Sequence, residues 1–156
     1  MARAKAVPAE VSNVGDMFGR IREADQSECY AAIGASAESG LLQSFAHTSE
    51  GMRWAVVSER ETIAIFGCAA TAILSQTGIP WMVGTDRVAE FPISFARGGR
   101  RYVREMLTRF SYLENWVDVR NELSIKWLKW CGFHFDDPIP YGYEQKLFYR
   151  FWMKRK

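Results

Sequence analysis

A chain of 156 residues, 48% apolar and 14% aromatic, is one domain's worth of sequence with enough apolar mass to bury an ordinary core. Its formal net charge of +2 is too small to argue for nucleic acid, and no apolar run approaches the roughly 18 residues that a membrane-spanning helix needs. The three cysteines, Cys29, Cys68 and Cys131, are spaced for neither a disulfide framework nor a zinc site; they read as reduced, buried thiols, and no metal site is expected.

The opening M-A-R-A-K-A-V-P has no apolar core of the kind a secretion signal carries, which points to a cytoplasmic protein. Residues 1–12 are small, basic and punctuated by proline, predicting a frayed lead-in to a helix near Val14, where Val14, Met17, Phe18 and Ile21 recur at helical spacing. Asp25-Gln-Ser-Glu28 reads as a capping box that opens a second helix through Tyr30 and Ile33 to Gly34. A third helix runs from about Ser36 to His47 with Leu41, Leu42, Phe45 and Ala46 on its buried side. Met52 to Ser58 and Thr62 to Ala70 are apolar runs joined at Glu59-Arg60-Glu61, a hairpin. Beyond the polar turn Ser75 to Gly78, Ile79 to Gly84 is an apolar strand with Pro80 near its start, where a missing N–H is tolerated.

After Gly84, Thr85 or Asp86 suits the N-cap of a short turn, and Pro92 suits the first turn of a longer helix to Phe110. Arg97, Arg100, Arg101 and Arg104 share one face of that helix, either as its solvated side or as a site for a ligand's phosphates, a nucleic acid or an acidic protein surface. Gly98-Gly99 weakens the helix by about 1 kcal/mol per residue relative to alanine, so either close packing or a ligand approaches there. The most organised stretch follows. Trp116-Val117-Asp118-Val119 alternates as a half-buried strand, and Asn121 stands at a helix N-cap. Leu123, Trp127 and Trp130, with Leu128 and Cys131 beside them, give the next helix a wide apolar face; Gly132 ends it and Phe133 starts another strand. Tyr143 to Trp152 alternates as the last strand, and Lys154-Arg155-Lys156 is a solubilising end.

The unit from Asn115 to Phe133 resembles the C-terminal part of the GNAT superfamily of N-acetyltransferases: Asn121, Ser124, Ile125, Trp127, Gly132 and Phe133 match the spacing N-x-x-A/S-I-x-L/F-Y-x-x-x-G-F. The resemblance implies an α/β (α+β) fold over residues 1–156. That fold is a mixed, mostly antiparallel twisted sheet of about six or seven strands with about four or five helices, the opening helices forming the rim of the acceptor site. It also implies an acyl-CoA-dependent N-acetyltransferase that uses acetyl-CoA and an amine acceptor. The family's thioester lies where the central strand splays from the next, so Met82, Val83, Gly84, Thr85 and Asn121 are expected against the cofactor, with Arg97, Arg100 and Arg101 as candidates for its phosphates. Asp86 or Glu61 is expected as the base and Ser124 as the donor to the leaving thiolate. Two departures stand out. The residues after Gly84 do not match the family's Q/R-x-x-G-x-G/A phosphate loop, which makes the cofactor loop degenerate, and Leu128 occupies the position of the tyrosine that protonates the thiolate.

Gly84-Thr85-Asp86, the Arg-rich helix and S-I-K-W-L-K-W-C-G-F also resemble the acetyltransferase-like internal virion proteins of short-tailed phages. That resemblance implies a bacteriophage protein located in the host cytoplasm or the virion. It supplies the alternative function: a non-catalytic virion-associated, assembly or host-interaction protein, with a phage or host protein as partner, that keeps the GNAT fold.

Overall fold

The computed structural model describes residues 3–156. Strand β1 (Lys5–Pro8) is followed by helices α1 (Val11–Met17), α2 (Glu23–Ile33) and α3 (Ala37–Ala46), then strands β2 (Arg53–Ser58), β3 (Glu61–Ala70) and β4 (Thr77–Gly84). A 3-10 helix (Asp86–Glu90) leads into the long helix α4 (Pro92–Arg109). Strand β5 (Tyr112–Asp118), helix α5 (Glu122–Cys131) and strands β6 (His134–Phe135), β7 (Ile139–Tyr141) and β8 (Lys146–Lys154) complete the chain. The strands form one sheet in the order β1-β2-β3-β4-β5-β8-β6, with β7 also paired to β8. Every pair is antiparallel except β4 with β5. This is the mixed, mostly antiparallel α/β sheet expected from the sequence, with eight strands among the described residues rather than six or seven, and five α-helices.

The period of two along the strands divides the core. Ala55 and Ile65 face α1 and α3 and pack with Val14, Met17, Leu41 and Phe45. Trp54, Phe66, Leu113 and Phe151 face the other way, against Val103 and Met106 of α4 and Leu128 of α5. The β2–β3 turn is two residues long, with Glu59 and Arg60 both at positive φ (52° and 66°), the geometry that lets a tight hairpin follow the strands' twist.

Three local expectations are corrected. The lead-in is ordered: Lys5 to Pro8 pair in register with Val57 to Trp54, because an unpaired β2 edge offers donors and acceptors that an extended segment satisfies. The first helix spans Val11–Met17, stopping short of Phe18 and Ile21, and Gly19 turns the chain at φ 81°. Asp25 caps nothing. Helix α2 begins two residues earlier, and the Asp25 carboxylate is buried against Arg22 and the Gly84 N–H.

The β4–β5 pairing sets up the site. Only Thr77 with Tyr112 and Gly78 with Leu113 are in register, after which the strands part. Gly78 allows the close approach, since a Cβ there would lie 2.5 Å from the Cys68 sulfur and 2.6 Å from the Phe110 ring. Pro80 then ends the ladder. It has no N–H to give β5, and its carbonyl accepts the Asn115 side-chain amide at 2.8 Å instead.

Candidate active site

The parting strands enclose a cavity of about 130 Å³ whose walls include Pro80, Met82, Asn115, Trp116 and Leu128. Which backbone groups face it follows from the ladder. Thr85 donates its N–H to Ile63 of β3 at 2.8 Å, so the alternation of an antiparallel pair turns the even-numbered residues of β4 away from β3 and toward the gap. At Gly84 both groups are taken: the N–H donates to Asp25 Oδ2 at 2.8 Å and the carbonyl accepts the Arg22 N–H at 2.9 Å. Pro80 has no N–H and its carbonyl is occupied. Met82 is left as the residue whose N–H and C=O face the gap with neither strand to bond.

The polar wall comes from α2 and the start of α5. Arg22 and Asp25 are buried, 7% and 5% exposed, and form a two-pronged pair with Nη2–Oδ1 at 2.7 Å and Nε–Oδ2 at 3.2 Å. The same Nη2 reaches Asn121 Oδ1 and Ser124 Oγ, each at 3.4 Å. Asn121 therefore stands at the N-cap position of α5 but turns its side chain into this cluster and caps no backbone N–H, a correction to its expected role. Glu28, one turn after Asp25, lines the gap itself and accepts the Asp118 N–H at 2.8 Å and the Asn121 amide at 3.4 Å. Burial pushes the Glu28 carboxyl up to about 7; the Asp118 N–H opposes that rise, and the charges of Asp25 and Asp118 add to it. Asp118 is buried too, which works against its ionisation, but the Arg120 fork at 2.6 and 3.0 Å and the Arg120 N–H hold it below the usual carboxylate range.

From Met82, Ser124 and Trp127 a second cavity of about 630 Å³ opens between the start of α4 and α5. Its walls are apolar, with Val88, Pro92, Phe95 and Leu123, and Lys126 and Lys129 stand beside it. No side chain caps the start of α4, where Pro92 occupies the first turn. The apolar stripe of α5 is thus a groove wall: Leu123 and Trp130 are each 49% exposed, whereas Leu128 is buried. The indole N–H of Trp127 donates to the Phe95 carbonyl at 2.7 Å and that of Trp130 to Ala96 at 3.0 Å, pinning α5 to α4. Gly99 makes this approach possible, because a Cβ there would lie 2.8 Å from both the Cys131 sulfur and the Trp127 ring. The cysteines are free; burial pushes Cys68 up to about 12 and Cys131 to about 11, which keeps them as thiols.

Of the residues singled out in the sequence, the structure brings Met82, Gly84, Asn121 and Ser124 together at the gap and its outlet. Val83 packs on the opposite sheet face beside α1 and α3. Thr85 is buried, its hydroxyl spent on the Ile63 carbonyl. Asp86 is exposed at the head of the 3-10 helix. Glu61 is held at the β2–β3 turn by Arg20 (2.9 Å) and Arg87 (3.6 Å). Arg97 and Arg101 line another groove, between α4 and β1–β2, and Arg100 lies over the Trp130 ring at 3.9 Å. The residues missed by sequence reasoning are Arg22, Asp25 and Glu28. Their signal is spacing: Asp25 and Glu28 stand one turn apart on α2, and Arg22 lies three residues before Asp25 at the helix start.

No family model matches the sequence, and no curated protein matches it significantly. Solved structures are similar in fold. Spermidine N-acetyltransferase from Vibrio cholerae, in complex with CoA and spermine, aligns over 97% of this chain and 95% of its own with a TM-score of 0.66 at 10% identity. The ribosomal-protein-S5-alanine acetyltransferase from Vibrio fischeri aligns over 97% and 92% with a TM-score of 0.67 at 15% identity. A Bacillus subtilis acetyltransferase in complex with CoA aligns over the whole of both chains with a TM-score of 0.62 at 9% identity. A sheet parted between β4 and β5, an α5 closed by Gly132 and these likenesses together give this chain the fold of the GNAT acetyltransferases.

Proposed function

We propose that the protein is an acyl-CoA-dependent N-acyltransferase in which Glu28 is the general base. The observation that carries this reading is a carboxyl held near neutrality in the wall of the cavity that Met82 faces with an unclaimed N–H. The groove between α4 and α5 fits the donor: it is apolar along its length for a pantetheine arm, and its uncapped helix start and two lysines favour phosphates. On this reading the phosphates lie at the start of α4 with Lys126 and Lys129 rather than at Arg97, Arg100 and Arg101.

The thioester supplies an activated acyl carbon. The acceptor's ammonium loses its first proton to solvent, and Glu28 takes the second from the attacking amine, directly or through one water; a pKa near the working pH suits a base for that step. The Met82 N–H donates to the carbonyl oxygen as it gains charge. The C–N bond forms, the C–S bond breaks, and the departing thiolate takes its proton from water, since Leu128 has none to give. The amide nitrogen's surplus proton ends on Glu28. Asn121 and the Asp118 N–H hold the Glu28 carboxylate in place.

The second reading, a non-catalytic phage virion or host-interaction protein on the same fold, draws on two observations. Leu128 fills the place of the expected proton donor, and the gap of about 130 Å³ is small beside the usual 300 to 1,000 Å³ of ligand pockets. Calorimetric titration with acetyl-CoA, followed by an acetylation assay on a panel of polyamines and N-terminal peptides, separates the two. Binding in the micromolar range with turnover lost in Glu28→Gln is the expected result. No binding at millimolar acetyl-CoA overturns the enzyme reading in favour of the second.

A further inference from the structure

We infer that this site takes an acyl group longer than acetyl: a medium-length, unbranched acyl chain whose tail runs beneath α4. The inference rests on the acyltransferase reading and names the donor class within it. A third cavity of about 410 Å³ lies between α4 and strands β1 and β2 and shares Met82, Phe95 and Trp127 with the cofactor groove. It is not separate from the gap. Phe66, Met82, Val103, Met106 and Trp127 line both cavities, so the partition between them is chiefly side chain, and two of its five members are methionines. Methionine is the apolar side chain that most readily changes shape, so the partition can yield to a chain threaded past it. The Met82 N–H that would hold the thioester oxygen belongs to the same residue, which places the carbonyl carbon at the entrance of this cavity rather than at a dead end.

The cavity suits a tail. Its floor is Val56 and Phe66 on this face of the sheet, and Tyr102 of α4 packs against Phe66 from above. Lys5, Arg97 and Arg101 stand at its rim, where long aliphatic stems can cover an apolar chain while their charges stay in water. Gly98 supplies the room. A Cβ built there meets nothing within 4 Å, in contrast to Gly99 beside it, which is packed against Trp127 and Cys131. The reaction is unchanged by the longer chain. The acyl carbon passes from sulfur to the amine nitrogen, C–S breaking and C–N forming, with the amine's proton on Glu28 and the thiolate's from water.

The test compares octanoyl-CoA with acetyl-CoA by calorimetry on the full chain, wild type and with Gly98→Phe or Gly98→Leu. Each fully buried methylene is worth roughly fourfold in affinity, from which the displacement of Met82 subtracts. Octanoyl-CoA should therefore bind about tenfold or more tightly than acetyl-CoA, and the ratio should collapse toward one in Gly98→Phe and fall partway in Gly98→Leu. A thermal melt of each variant confirms the fold. Equal affinities in the wild type overturn the inference while leaving the acyltransferase reading standing. A tighter octanoyl-CoA whose advantage survives both substitutions also overturns it, because the tail then lies elsewhere. Failure of both thioesters to bind removes the acyltransferase reading and this inference together.

Discussion

Helices α2 and α4 make opposite use of their charges. Helix α4 carries the conspicuous feature of the sequence, four arginines on one face, and all four lie at the surface. Helix α2 and the residue before it look unremarkable, yet Arg22, Asp25 and Glu28 supply most of the polar wall of the gap. The difference is tertiary. Helix α4 lays Val103 and Met106 on the sheet and leaves its arginines outside, whereas α2 stands at the open end of the β4–β5 split, where Gly84, Asp118 and Asn121 present polar groups to it. A charged residue on a helix is thus informative only once the surface facing it is known. A buried carboxylate needs donors, and a splayed strand end provides them.

The largest expected effect falls on Glu28. Glu28→Gln keeps the acceptor oxygen for the Asp118 N–H but removes the base, so kcat/KM should fall by about 10² to 10⁴. In the wild type the acid limb of kcat/KM should bend near pH 7. Stability should move the other way. The folded-state pKa, about 7, lies above the ordinary 4.5, so the folded protein holds the extra proton and wild-type stability falls as pH rises from about 4.5 through about 7. Chemical denaturation should show Glu28→Gln gaining on the wild type across that window and little changed near pH 4. A variant that is inactive and no more stable at pH 8 would assign Glu28 a merely structural part.

Next is Asp25→Ala, which strands the Arg22 guanidinium and the Gly84 N–H in a buried site and should cost about 3 to 5 kcal/mol of stability. The same loss is not expected for any arginine of α4. A urea midpoint within experimental error of the wild type would show that the cluster is hydrated and that the contrast between the two helices is only apparent. Smaller again is Leu128→Tyr. Leu128 is 8% exposed and faces the gap, so a tyrosine adds volume there, about 1 to 3 kcal/mol of strain, and brings a hydroxyl. A thiolate leaves readily without help, so turnover should rise by no more than about tenfold; single-turnover kinetics with acetyl-CoA would show whether it falls instead.

How much of this was legible in the sequence depended on whether the deciding partner was local. Gly132 ends α5 with φ 98°, Pro92 starts α4 and Ser36 caps α3 through the Ser39 N–H, all short-range effects that residue types announce. Pro80 marked the strand, and only the structure shows that its missing N–H faces β5 and opens the gap. Strand β1 was illegible because Lys5 to Pro8 has no strand pattern of its own and is extended only by pairing with β2. Asp25 was misread for the converse reason: an Asp-x-x-Glu run is a good local cap, but the Gly84 N–H, 59 residues on, outbids it. The base was sought at Asp86 and Glu61, close to the expected cofactor strand in sequence; the carboxyl that lines the gap is Glu28 on α2.

The smallest effect sharpens the contrast most. If the arginines of α4 held the donor's phosphates, the triple change Arg97→Gln, Arg101→Gln and Arg104→Gln would weaken acetyl-CoA binding by an order of magnitude or more, and steeply so at low salt. The proposed donor groove leads to a different expectation. Arg97 and Arg101 border the cavity on the β1–β2 side of α4, and the groove that reaches the gap is bordered by Lys126 and Lys129 instead. Arg100 is left in place in this experiment, because it covers the Trp130 ring and donates to the Trp130 carbonyl at 3.1 Å, and its loss would loosen the groove wall. Acetyl-CoA affinity should therefore change less than about twofold in the triple variant, and stability by less than about 0.5 kcal/mol, the usual size of a surface change. Lys126→Gln with Lys129→Gln should produce the salt-sensitive loss that the arginine variant does not. Were the two variants to trade behaviours, the donor's phosphates would lie along α4, and the polar wall built by α2 would face the acceptor alone.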